Sequence, residues 1–120
     1  MAKRRFAILS IMLALLTSCS AKGPDPVAVD PKHYKVEFEN ERFRVLRVTI
    51  GPHEKTPMHY HPDYLIMMLT ENHTRATDVD GAVSEGNNTR GTTAGISLVH
   101  SEENLSDTPM ELYIVELKKR

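Results

Sequence analysis

From residue 33 onward the chain alternates apolar and polar positions, or runs continuously apolar, and nowhere sustains the 3.6-residue period of an amphipathic helix. Tyr34, Val36 and Phe38 alternate with Lys35, Glu37 and Glu39, which predicts a half-buried strand ended by a turn at Asn40, Glu41 and Arg42. Phe43, Val45, Leu46, Val48 and Ile50 predict a second strand, with Arg44, Arg47 and Thr49 among its polar positions. The adjacent Val45 and Leu46 break the alternation and predict a bulge or burial on both faces. Gly51 and Pro52 end the strand. Residues 64–69, Tyr-Leu-Ile-Met-Met-Leu, are apolar throughout, as in a central strand covered on both sides. Asp80-Gly81 is a hairpin signal between residues 74–79 and 82–85. Residues 86–95, with two Asn, three Thr and three Gly, predict a flexible surface loop whose tail adds a short edge strand. Residues 96–99 predict a short strand leading into His100, and residues 110–117 a long closing strand. Short strands separated by Gly, Pro, Asn and Asp turns predict an all-β domain, an antiparallel sandwich or barrel.

The first 32 residues follow a different pattern. Lys3, Arg4 and Arg5 precede an apolar run at 6–16 interrupted only by Ser10, the layout of a targeting segment and too short to span a bilayer, which takes roughly 20 residues. Leu16-Thr17-Ser18-Cys19 then resembles the bacterial lipobox. That resemblance implies a lipoprotein signal peptide at 1–18, cleavage before Cys19, lipidation of the Cys19 thiol and acylation of the new amino terminus. Cys19 is the only cysteine, so no internal disulfide can form, and lipidation accounts for its presence in an exported chain. Ser20 in place of Asp at the second mature position implies the outer membrane, in a bacterial cell envelope, with the domain facing the periplasm; several acyl chains give durable anchoring. Residues 19–32, with Gly23, Pro24, Pro26 and Pro31, predict an extended tether without an apolar face. The folded unit is expected at 33–120, near the lower size at which one core suffices, so a bound ion or a homodimer would help it.

Charge narrows the choice of partners. Of 15 basic and 16 acidic residues, cleavage removes three basic ones and no acidic one, which leaves a formal −4. Such a surface argues against nucleic acid and against electrostatic attachment to anionic lipid; the one basic cluster left is Lys118-Lys119-Arg120.

Candidate chemistry concentrates at residues 51–64, Gly-Pro-His-Glu-Lys-Thr-Pro-Met-His-Tyr-His-Pro-Asp-Tyr. On a strand, successive side chains alternate faces, so His59 and His61 point the same way and Tyr60 the other. Two imidazoles are thereby offered to one ligand.

These residues resemble the cupins, small β-barrels with a first motif G-x5-H-x-H-x3,4-E-x6-G and a second G-x5-P-x-G-x2-H-x3-N. Gly51 with His59-Tyr60-His61 is similar to the first, with two extra residues between them, and His100-Ser101-Glu102-Glu103-Asn104 to the end of the second. The stretch at 51–64 also resembles short stand-alone cupins that carry H-x-H-P-D-Y. The resemblance implies a small antiparallel cupin-like β-barrel or jelly roll, with His59, His61 and His100 converging in its mouth on a divalent metal. Imidazole suits iron, manganese, nickel, copper and zinc alike, so the donor set does not select the metal. The chain departs from the pattern twice. The family glutamate falls at Leu65 or Ile66, which leaves Asp63 as the nearby carboxylate and a candidate fourth ligand, and Gly95 lies only five positions before His100.

His33, His53 and His73 are expected as exposed turn residues, Met67, Met68 and Met110 as core fillers, and Tyr60 and Tyr64 either as packing on the sheet or as the lining of a pocket. Three functions follow from the resemblance: an envelope-anchored cupin that binds a small molecule or a divalent metal; a metal-dependent enzyme of dioxygenase or isomerase type on a three-histidine site; or a non-catalytic dimerising scaffold. Glu54, Asp63 and Glu102 are acid–base candidates by proximity alone. The chain has no nucleophile elbow, P-loop, dinucleotide fingerprint or zinc-ribbon spacing.

Overall fold

The computed structural model describes residues 23–119. The signal peptide, the lipobox and Cys19 lie outside the described residues. One short helix, α1 (Pro26–Val29), precedes nine strands: β1 (Tyr34–Glu39), β2 (Phe43–Ile50), β3 (His59–His61), β4 (Tyr64–Met68), β5 (Asn72–Asp78), β6 (Val83–Asn88), β7 (Gly91–Gly95), β8 (Leu98–Asn104) and β9 (Met110–Leu117). They form two antiparallel sheets, one ordered β1-β2-β9-β4-β7 and the other β3-β8-β5-β6.

The period-two pattern decides which residues face the interior. Leu46, Val48 and Ile50 of β2 lie in register with Ile114, Leu112 and Met110 of β9, and together with Tyr34 they make the buried core. The bulge signalled at Val45-Leu46 falls on the opposite strand: the pairing shifts between Val36 and Phe38, so that Glu37 is the extra residue facing Val45-Leu46.

Four expectations are corrected. Residues 86–95 are not a flexible loop. They supply the end of β6 and, at the tail where a short edge strand was expected, all of β7; these strands pair with β5 and β4 although almost every residue in them is exposed. Backbone pairing and polar side-chain bonds such as Asn88 Nδ2 to Thr74 Oγ1 at 3.1 Å hold them, so no apolar alternation marks them. The segment read as a free tether folds back onto the barrel from Gly23 onward. Asp25 caps α1 by accepting from Val27 N at 2.9 Å, Pro26 is buried, and Pro24 O accepts from Tyr60 N at 2.9 Å. β4 is covered on one face only. Ile66 and Met68 point inward, whereas Leu65 and Met67 are 36% and 44% exposed on the outer face. Met67 therefore fills no gap in the core.

His33, expected in an exposed turn, is the fourth. It is buried, with Nδ1 2.7 Å from Asp30 Oδ2 and Nε2 2.7 Å from Glu54 Oε2. Glu54 also bonds Lys32 and accepts from Gly51 N at 2.9 Å. The Lys32 bond, then those of His33 and Gly51, pull the Glu54 carboxyl down to about 2. This cluster clamps the end of α1 to the turn after β2. His53 stays exposed beside Asp107, and His73 is part-exposed between Asn87 and Glu85.

Candidate metal centre

Strands β3 and β8 are direct neighbours, and their register sets His59 opposite His100 and His61 opposite Leu98. His59 and His61 share the inner face of β3 by period two, and His100 comes from the middle of β8, so the short Gly95–His100 interval does not displace it. One ligand atom from each of the three rings lies within 4.8 Å of the others. Ring centroids are 4.7 Å apart for His59–His61, 4.8 Å for His59–His100 and 5.5 Å for His61–His100.

The hydrogen bonds behind the rings set their tautomers. His59 Nδ1 donates to Pro57 O at 2.7 Å, since a carbonyl can only accept; Nε2 therefore carries a lone pair, which accepts from the Tyr34 hydroxyl at 3.0 Å. His61 Nδ1 donates to Glu116 Oε1 at 2.6 Å, and His61 Nε2 is buried with no hydrogen-bond partner among the described residues. An unpartnered buried nitrogen is uncommon enough to need a reason. Glu116 is itself held: Arg44 Nε donates to its Oε2 at 2.7 Å, and Arg44 Nη2 reaches Asp25 Oδ2 at 2.8 Å. The chain Asp25–Arg44–Glu116–His61 thus runs from the packed N-terminal segment to the centre.

Burial pushes His59 down to about 4, with the Pro57 bond opposing, and pushes His100 down to about 3, helped by the two neighbouring histidines. Burial also raises the Glu102 carboxyl to about 7 against the pull of the Thr74 hydroxyl. Glu102 is two residues after His100 on the same face, and its Oε2 lies 3.8 Å from His100 Nδ1, beyond hydrogen-bond distance. A cavity of about 350 Å³ reaches His61, His100 and Glu102 between the sheets, bordered by Tyr34 and Tyr64 and by apolar side chains. Tyr64 lies flat across Gly95, where a Cβ would stand 2.3 Å from its ring carbon, so only glycine admits the ring there.

Asp63 is not at the centre. It is exposed, and its Oδ1 accepts from Ser97 N at 2.9 Å. The chain turns at Pro62 and passes from one sheet to the other, so the alternation of β3 does not carry through to it. Nothing in the first motif replaces the missing family glutamate; the carboxylates nearest the rings come from other strands, Glu116 on β9 and Glu102 on β8. Glu116 escaped the sequence reading, although Met110, Leu112 and Ile114 place it in phase with the core. Arg44 is likewise in phase with Leu46, Val48 and Ile50. Asn104, the last residue of the second motif, is fully buried, and its Nδ2 reaches Ile50 O at 3.1 Å and Thr108 O at 2.8 Å. That explains an asparagine at this position: it ties the end of β2 to the turn before β9.

No family model matches this sequence, and no curated protein matches it. Solved structures do. A cupin domain from Bordetella pertussis superposes with a TM-score of 0.67 at 25% identity, over 82% of this chain and 98% of that one. An RmlC-like cupin with a double-stranded β-helix fold from Methanocaldococcus jannaschii gives 0.53 at 20% identity, over 73% and 83%. A cupin superfamily protein from Desulfitobacterium hafniense gives 0.54 at 10% identity, over 72% and 76%. Two antiparallel sheets facing each other around a cavity, in a chain that superposes on these proteins over most of its length, make this the cupin double-stranded β-helix fold.

Proposed function

We propose that this chain is an envelope-anchored lipoprotein whose cupin-fold domain holds a divalent transition metal on His59, His61 and His100 and binds a small molecule beside it. The observation that carries the metal reading is the orphaned Nε2 of His61, buried in a ring of three imidazoles. The donor set fits. Each ring offers one nitrogen to the centre, burial favours the neutral form of His59 and His100 that coordinates, and Glu116 and Pro57 O bond His61 and His59 from behind. To admit an ion, the Tyr34 hydroxyl has to release His59 Nε2. Three protein nitrogens leave room in a transition-metal shell for an added donor, and a bound ion would supply Lewis acidity there. The Leu16-Thr17-Ser18-Cys19 sequence supports the anchor.

Elemental analysis of the full-length protein, purified in detergent, tests the metal reading. It predicts stoichiometric iron, manganese, nickel, copper or zinc that H59A, H61A and H100A each remove; a metal-free protein that also refuses added zinc, cobalt and nickel would sink it. Loss of membrane association and of fatty-acid labelling in C19A tests the anchor.

One further observation favours pairing of two copies. The outer face of the larger sheet carries Phe38, Leu65, Met67 and Leu117, each at least one-third exposed. Phe38, Val45, Val115, Leu65 and Ala94 form one apolar cross-strand row. Sedimentation of wild type against L65K/M67K distinguishes a dimer from a monomer.

A further inference from the structure

The cavity wall restricts what lies beside the three histidines. Sheet positions 66, 68, 112 and 114 present Ile, Met, Leu and Ile to it, and Leu98 closes the other side. These side chains follow from the same period-two rows that build the core, so the pocket is a continuation of the core that side chains leave unfilled. The volume, about 350 Å³, is at the lower end of small-molecule sites, which run from about 300 to 1,000 Å³.

Charge restricts it further. Besides the histidines, the charged side chains on this wall are Asp78 and Glu102, and no lysine or arginine lines it among the described residues. Arg44, the basic group nearest the histidines through its bond to Glu116, is engaged with Glu116 and Asp25 behind the rings and does not line the cavity. Beyond an ion held by the histidines, a phosphate or other polyanion would meet two carboxyl groups and no lysine or arginine to balance its further charges. Asn88 and Thr93 add two neutral polar side chains to the wall, but a polyol would still bring hydroxyls against Ile66, Met68, Leu112 and Ile114, which cannot satisfy them.

We propose that the cavity takes a small molecule with an apolar body and a single oxygen-donor head bearing no more than one negative charge, as in a short aliphatic or aromatic acid. The head lies at the His61–His100 end, and the body lies against Ile66, Met68, Leu112 and Ile114. This inference rests on the metal reading above for the partner of the head group, and on the wall alone for the body.

The test loads the full-length protein in detergent with Co(II). The visible absorption of the bound ion is then followed while acetate, propionate, butyrate and pentanoate are added in turn, acids short enough to stay in water beside micelles. Inorganic phosphate and glucose serve as the contrasting ligands. Burial of each added methylene in an apolar pocket is expected to tighten binding about fourfold, and phosphate and glucose are expected to leave the spectrum unchanged. An affinity that is flat along the acid series overturns the assigned ligand class, as does a response to phosphate as strong as that to pentanoate. Protein that takes up no cobalt overturns the metal centre, and the inference with it. Bound cobalt whose spectrum ignores every acid overturns the ligand class and leaves the metal centre standing.

Discussion

His33 and His61 are both nearly inaccessible, at 7% and 2% exposure, and each ring has Nδ1 against a carboxylate, Asp30 for His33 and Glu116 for His61. They part company at the second nitrogen. His33 Nε2 meets Glu54 at 2.7 Å, so the ring is saturated between two acidic side chains, and its role is to clamp α1 to the turn after β2. His61 Nε2 meets no partner among the described residues and is turned toward two more imidazoles. Burial and a carboxylate neighbour are thus common to a structural histidine and to a candidate ligand. The unpartnered nitrogen separates them, because a buried polar atom without a partner carries a cost that a bound ion can offset.

The most severe way to break this contrast is to remove the unsaturated rings. H59A/H61A is expected to abolish stoichiometric metal, read by elemental analysis, while circular dichroism still reports a β-rich fold; retained metal would put the site elsewhere. Next is the support behind the ring. E116L leaves Arg44 with Asp25 alone and strands the His61 Nδ1 proton, so we expect metal affinity to fall about 10–100-fold in chelator competition. Stability should fall by about 3–5 kcal/mol in urea unfolding. E116Q, which can still accept from His61, should recover part of the affinity.

H33Q sharpens the comparison from the other side. It leaves a buried carboxylate poorly paired and is expected to cost about 1–3 kcal/mol of stability, with metal affinity unchanged. A parallel loss of metal affinity would erase the distinction between the two histidines.

A fourth test uses pH on the metal-free protein. His59 and His100 titrate at about 4 and about 3 when folded, against about 6.5 when unfolded. In that interval the unfolded chain binds protons that the folded one refuses. Their contribution is therefore complete above about pH 6.5 and is lost as pH falls toward 4. Glu102, raised to about 7, works in the opposite sense over the upper part of this range. Two histidines outweigh one glutamate, so stability should decline from pH 6.5 to 4.5, and H59Q/H100Q should flatten that decline in urea titrations. The smallest effect is expected at the outer end of the chain behind His61. D25N loosens an ion pair that is half open to water and should cost less than about 1 kcal/mol by thermal denaturation.

Much of this was legible from residue order. A two-residue spacing on a strand puts His59 and His61 on one face whatever the rest of the chain does, and the similarity of residues 100–104 to a known motif picked out their partner. Glu116 and Arg44 were legible in principle as charges in phase with apolar rows, a pattern that invites the question of what neutralises them. Asp63 misled because alternation holds only while the strand continues, and Pro62 ends it. Of β6 and β7, residues 82–85 and a short strand at the tail of 86–95 were legible, and the rest read as loop because almost every residue there is exposed, which leaves no apolar period to detect. His33 went unseen because its partner Glu54 lies 21 residues away.

By itself the sequence determined the local quantities: strand against helix, the faces of each strand, and the turns at Gly51-Pro52 and Asp80-Gly81. Those depend on neighbours a few residues apart, where backbone geometry is periodic. The tertiary structure alone decided which buried histidine is saturated and which keeps an unpartnered nitrogen, that Arg44 and Glu116 neutralise each other 72 residues apart, and that no lysine or arginine among the described residues lines the cavity wall. These follow from the register between β2, β9, β3 and β8, and register is set by the packing of the whole domain.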